Sequence, residues 1–150
     1  MERNVSLIRA ILFALLAGLA LLACDAAASE SRLVLVASAR SPIAALSQAD
    51  VRRLYLGIPS TQDGHEIIPV RNAVDHTVQE IFLQRVLFMS SQAYERQISA
   101  RLYRTGGNRV AEYFSLRELA AALHADPWAV SYMSETTAQG LAGIKIVALL

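Results

Sequence analysis

Short apolar runs bounded by polar residues predict four extended segments along this chain. Leu33–Ala37 is aliphatic throughout and has the length of a buried strand. Glu66–Val70 follows an Asp-Gly turn at residues 63–64, and Ala129–Met133 and Ile144–Leu149 predict the last two segments. In the stretches between these segments the apolar residues recur at a different spacing, which indicates that the chain alternates strands with another kind of element.

Those intervening stretches repeat apolar residues at helical spacing, and each begins where a helix start is favoured. We predict helices beginning at Ser47, after Asp75, at Ser90 or the residue after it, and at a capping box that opens with Ser115. Their apolar positions are Val51, Leu54 and Tyr55; Val78, Ile81, Phe82, Val86 and Met89; Tyr94, Ile98 and Leu102; and Leu116, Leu119 and Leu123. Strands alternating with amphipathic helices indicate an α/β fold, a mixed sheet flanked by helices on both faces.

The N-terminus has the order of a secretory signal. Arg3 and Arg9 precede an uninterrupted apolar stretch of 14 residues, Ala10–Ala23. A membrane-spanning helix needs roughly 20 apolar residues, so a signal peptide is favoured over a permanent anchor. We predict that residues 1–28 are a signal peptide and that residues 29–150 form one domain that works in the periplasm.

Cys24, the one cysteine of the chain, closes the apolar stretch. Residues 21–24, Leu-Leu-Ala-Cys, resemble a bacterial lipobox, which implies lipidation of Cys24 and a membrane-anchored lipoprotein. The alternative is cleavage after Ala28, with Ala26 and Ala28 as the small-residue pair. Either way the mature domain holds no cysteine, which excludes disulfides, cysteine metal sites and cysteine nucleophiles.

The charge balance gives no support to nucleic-acid binding. The chain has 14 basic and 13 acidic residues, and residues 1–28 contain two of each, so the mature domain keeps 12 and 11 and a net charge of +1. Its basic residues are scattered among acidic ones and form no run. The only membrane association that the sequence predicts is therefore through a lipid anchor.

Four strings in order along the mature chain resemble the type 2 periplasmic solute-binding proteins, and among them the phosphate-binding receptors of ABC importers. Residues 51–57 look like the family's helix that ends in an aromatic-x-Gly turn, and residues 68–71 like its strand that ends in arginine. Residues 82–87 fit the helix that follows, and 126–132 resemble its Asn-Pro-Gly-Ala-Ile-Gly-Tyr segment. The resemblance implies a single lobe of a fold that normally has two.

The same family binds its oxyanion through an arginine after the strand and a Ser-Gly-Thr turn at the start of the next helix. The resemblance places Arg71 and Thr77 at the arginine and the threonine, but Asp75 stands for the serine and His76 for the glycine. Asp75 can cap its own helix and set a negative charge where an anion would bind. A local ion pair between Arg71 and Asp75 is the structural alternative to an oxyanion site.

Two functions stay open at this stage. One is a non-catalytic, exported solute-binding-like protein that binds phosphate or another small oxyanion through Arg71, Asp75, His76 and Thr77. The other is a lone-lobe accessory module that has lost ligand binding and acts on an envelope protein partner. No nucleophile motif predicts an enzyme, the histidines show no metal-ligand spacing, and no cofactor is implied.

Overall fold

A computed structural model describes residues 32–150 of the protein. The strands are β1 (Leu33–Ser38), β2 (Thr61–Gln62), β3 (His65–Glu66), β4 (Ile68–Asn72), β5 (Ala111–Tyr113), β6 (Ala129–Ser134) and β7 (Ile144–Leu149). The helices are α1 (Gln48–Tyr55), α2 (His76–Phe82), α3 (Ser91–Thr105), α4 (Leu116–Ala125) and α5 (Glu135–Gly140). Helix α2 runs directly into a π-helical turn, Leu83–Leu87.

Five strands form one mixed sheet in the order β5-β4-β6-β1-β7. Strand β4 is parallel to both β5 and β6, whereas β1 is antiparallel to β6 and β7. The carboxyl ends of β4, β5 and β6 therefore lie at the same end of the sheet, and β1 begins at that end. The predicted fold class, a mixed α/β sheet flanked by helices, is confirmed.

Each face of the sheet carries its own apolar cluster. Every residue of β1 is buried, and alternate side chains point to opposite faces, with Leu33 and Leu35 on one and Val34 and Val36 on the other. Helices α1, α2 and α3 and the π-helical turn cover the first face, and α4 and α5 cover the second. A strand with two buried faces reads as a continuous apolar run, which is why the sequence predicted β1.

Tyrosine hydroxyls tie the helices of the first face to the strand backbone. The Tyr55 hydroxyl donates to the carbonyls of Val70 and Val130, at 2.9 and 3.2 Å, and so joins α1 to β4 and β6. Tyr132 of β6 packs between these elements with its ring stacked on Phe82, at a centroid distance of 3.8 Å. These contacts fix the positions of β4 and β6, from which the following loops begin.

Several local predictions need correction. Glu66–Val70 is not one strand, because Glu66 ends the β2–β3 hairpin and β4 starts only at Ile68. The helix predicted to reach Met89 changes to a π-helical turn and stops at Phe88. Ser115 begins α4, but its side chain makes no capping hydrogen bond, so the predicted capping box is wrong.

The predictions for the N-terminus, the signal peptide of residues 1–28 and lipidation of Cys24, lie outside the described residues. Within residues 32–150, none of the helices has the length and apolar character needed to cross a membrane.

Candidate functional site

An open cleft of about 500 Å³ lies at the carboxyl ends of β4 and β6. Asn72 ends β4 and Ser134 ends β6, and both line the cleft together with the first residues of the helices that follow. Ligands of open α/β sheets bind in this place, outside the carboxyl ends of the strands. The cleft is therefore the candidate site for any small ligand of this domain.

Three of the four predicted ligand-binding residues, Asp75, His76 and Thr77, line this cleft. Asp75 caps α2, since its Oδ1 accepts from the backbone N–H groups of Thr77 and Val78 at 2.9 and 3.2 Å. These are the N–H groups that an anion at the start of α2 would need. Two N–H groups at the start of α2 are thus already satisfied, and they are bonded to a carboxylate instead of an anionic ligand.

His76 and Thr77 are exposed at the mouth of the cleft. The His76 side chain is 84% exposed, and its Nε2 lies 3.8 Å from Oε1 of Glu80, one helical turn further along α2. The imidazole therefore points along the helix surface towards a carboxylate. Neither residue is a lysine or an arginine, so neither adds a permanent positive charge to the cleft.

Arg71, the fourth predicted residue, does not line the cleft and is only 8% exposed. Its Nη1 donates to Oε1 of Glu95 at 2.9 Å, and its Nη2 lies 3.3 Å from Oε1 of Glu112. Its guanidinium also stacks over the ring of Tyr94, with Cζ 4.9 Å from the centroid. The predicted Arg71–Asp75 ion pair is wrong, because α3 and β5 supply the partners of Arg71.

The two glutamates belong to a wider polar network between α2, α3 and β5. Oε2 of Glu95 accepts from Nη1 of Arg109 at 2.8 Å, and Nη2 of Arg109 donates to Oγ of Ser99. Gln79 of α2 donates to Glu112 at 3.1 Å. The hydrogen bond from Arg109, together with the charge of Arg71, lowers the pKa of Glu95 and keeps it ionised. Two arginines and two glutamates therefore balance one another inside this network.

Tyr94 forms the apolar floor under Arg71 and stays neutral. Burial raises the pKa of Tyr94 to about 12, although the Arg71 charge acts in the opposite direction. Its hydroxyl donates to the Tyr55 carbonyl at 3.1 Å. The guanidinium is thus held on its edge by two carboxylates and on its face by a neutral ring, and it does not contribute to the lining of the cleft.

Asn72 fixes the loop between Arg71 and Asp75. Its Nδ2 donates to the Tyr132 carbonyl at 2.9 Å, and its Oδ1 accepts from the N–H of Val74 at 3.0 Å. Sequence reasoning missed this residue, as it missed Glu95 and Glu112. Of these residues, only Glu112 could have been found from the sequence, because it pairs in register with Arg71 once β5 is recognised as the neighbour of β4.

Comparison with known proteins supports the fold. No protein-family model and no curated protein matches the chain. An ABC-type phosphate transport receptor from Vibrio cholerae matches in structure with a TM-score of 0.53 and 12% identity. The match covers 77% of this chain and 45% of the receptor, so this chain corresponds to less than half of that protein's length. The described domain is therefore a distant fold relative of this solute-binding receptor.

Proposed function

We propose that the protein is an exported, non-catalytic module of the solute-binding fold that docks to another envelope protein through its cleft face. In this proposal it is not an oxyanion receptor. The observation that carries the proposal is the position of Arg71, buried over Tyr94 and paired with Glu95 and Glu112. The one arginine predicted to bind an anion is thereby unavailable to any ligand in the cleft.

The charges that do line the cleft oppose an anion. Asp75 is the one carboxylate among the lining residues, and no lysine or arginine is among them. A phosphate group beside Asp75 would meet like-charge repulsion in a space that is only partly screened by water. It would also find the N–H groups of Thr77 and Val78 occupied by that same carboxylate. Both effects weaken oxyanion binding.

Two exposed apolar residues, of which Val74 lines the cleft, support docking to a protein. Phe114 follows β5 and is 73% exposed, and Val74 follows β4 and is also exposed. The N–H of Ala73 donates to the carbonyl of Tyr113 at 2.9 Å, so the backbone segments that lead into Val74 and Phe114 are joined. Exposed apolar side chains grouped at a concave surface are typical of a protein contact.

Site-specific photo-crosslinking tests this proposal in intact cells. Phe114 is replaced by p-benzoyl-phenylalanine in the full chain, with Tyr103, a 94% exposed aromatic residue of α3 away from the cleft, as the matched control. We expect one envelope protein to be cross-linked from position 114 and not from 103. Equal labelling from both positions, or none from 114, would contradict the docking proposal.

The second candidate, binding of phosphate or another small oxyanion, is favoured by the place of the cleft and by the likeness to the phosphate receptor. It requires Arg71 to leave its glutamates and turn into the cleft, or Thr77 and His76 to bind the anion without it. Calorimetric titration with phosphate and sulfate separates the two candidates. Saturable heat that is lost on Thr77→Val would support the receptor.

A further inference from the structure

Two adjoining cavities form a groove at the opposite end of β4 from the cleft. Their volumes are about 380 and 360 Å³. The residues that line both cavities, which we call the α3 groove, are Gly57, Pro59, Glu66, Asn108 and Val110. Ile68 at the start of β4 also lines the groove, whereas Asn72 at the end of β4 lines the cleft. The strand spans about 13 Å between these two residues, so the groove is a second, separate concave surface.

Arg101 of α3 lies over the turn that follows α1. Gly57 in this turn has φ +79°, and a Cβ at its position would lie only 3.0 Å from Nε of Arg101. A glycine therefore suits both the backbone conformation and the close approach of the arginine. Ile98, Arg101, Leu102 and Thr105 follow helical spacing, and this face of α3 lines the second cavity. The Arg101 side chain is thus half-buried along the wall of the α3 groove.

Arg101 and Glu66 bring opposite charges to the same cavity, and neither is compensated. Within residues 32–150, neither side chain forms an ion pair or a hydrogen bond, with the other or with a third residue. Arg71 and Arg109, by contrast, are both bonded to glutamate. The α3 groove therefore offers one free guanidinium and one free carboxylate.

The remainder of the α3 groove is mostly apolar. Its aliphatic and proline side chains include Ile58, Pro59, Ile68, Pro69, Leu102 and Val110. Small-molecule sites are typically apolar clefts of this size with a few polar groups that orient the ligand. The lining therefore favours a ligand that has an apolar body and places its charges at Arg101 and Glu66.

We propose that the α3 groove binds a small zwitterion with an apolar body, that is, an apolar amino acid or a short apolar peptide. The planar guanidinium of Arg101 suits a carboxylate, and the Glu66 carboxylate suits an ammonium group. A ligand with a carboxylate alone would be repelled by Glu66, and a ligand with an ammonium group alone would be repelled by Arg101. A zwitterion compensates both charges at once. The cleft and the α3 groove share no lining residue, so this inference stands whether or not the cleft face binds a protein.

Calorimetric titration of the purified full chain with L-leucine and with leucyl-leucine tests the proposal. N-acetyl-leucine, which lacks the ammonium group, and leucinamide, which lacks the carboxylate, are the matched ligands. We expect saturable heat from at least one zwitterion, and the tighter of the two identifies an amino acid or a peptide as the ligand class. Each matched ligand should bind about tenfold more weakly or worse, because it loses one charge-assisted contact. No saturable heat from either zwitterion at millimolar concentration, or equal affinity for the matched ligands, would overturn the proposal.

Substitutions in the α3 groove give an independent readout. Arg101→Gln and Glu66→Gln should each weaken binding of the tighter zwitterion about tenfold. Arg104→Gln, which changes an exposed arginine of α3 outside the groove, should bind as the parent protein does. Thermal denaturation should give the same melting temperature for all three variants, because Arg101 and Glu66 have no polar partner to lose in the described part of the chain. Parent-like affinity in Arg101→Gln, or an equal loss in Arg104→Gln, would overturn the assignment of the site.

Discussion

Arg71 and Asp75 lie only four residues apart, on either side of the loop that follows β4, yet they act in different regions of the molecule. Arg71 is buried under α3, where two glutamates and the face of Tyr94 hold its charge. Asp75 lies in the cleft, where it caps α2. The network under α3 is thus rich in matched charges, whereas the described residues that line the cleft include one carboxylate and no lysine or arginine.

This contrast teaches that an arginine that the sequence assigns to an anion site can instead have structural partners. Arg71 joins β4 to α3 through Glu95 and to β5 through Glu112. Both glutamates are distant from Arg71 in the sequence. The predictions below test whether the two regions are as separate as the contacts indicate.

The largest effect is expected from Arg71→Ala. Removing the guanidinium leaves Glu95 and Glu112 next to each other without their shared cation, in a partly buried place, so we expect the free energy of unfolding to fall by about 3 kcal/mol. Urea denaturation measures it. Arg109→Ala, which removes the exposed partner of Glu95, should cost less than about 1 kcal/mol. Equal losses would show that Arg71 is not the centre of the network.

A smaller effect is expected in the cleft. Asp75→Ala removes the cap of α2 and should lower the free energy of unfolding by about 1 kcal/mol, whereas Asp75→Ser keeps a capping oxygen and most of the stability. Thermal denaturation of both variants measures the difference. If Asp75→Ala were neutral, the carboxylate would have another role than capping.

The smallest effect is an acid dependence that arises from Glu95 in the network. The pKa of Glu95 is lowered in the folded protein, mainly by the hydrogen bond from Arg109, so Glu95 stabilises the fold above its unfolded pKa. That stability is lost as the pH falls through the lowered folded pKa. Glu95→Gln should therefore flatten the loss of stability in acid. Glu118→Gln, an exposed glutamate of α4 outside the network, should follow the parent protein.

The sequence predicted the parts of the fold that have strong apolar periodicity. Strands β1, β6 and β7 were predicted within a few residues as short apolar runs, and helices α1 and α3 by apolar residues at helical spacing. Strand β5 was missed because it is only three residues long and has no buried residue, and α5 because Ala138 is its single buried residue. Short elements of this kind form through their neighbours and leave little pattern.

The candidate site was predicted only in part for a related reason. The sequence placed Asp75, His76 and Thr77 at a helix start directly after a strand, which is a local feature. All three residues line the cleft. The partners of Arg71 were wrong because Asp75 is near in sequence, whereas Glu95 and Glu112 meet Arg71 only after α3 and β5 have packed. Long-range pairing of this kind requires the strand order, which periodicity does not give.

The most direct test of the central claim is calorimetric titration of the purified mature protein with phosphate at low salt, up to millimolar concentrations. The account predicts no saturable heat from a folded protein, because Arg71 is held by Glu95 and Glu112 and Asp75 occupies the start of α2. Saturable heat that disappears on Thr77→Val would contradict the account and make the cleft an oxyanion site.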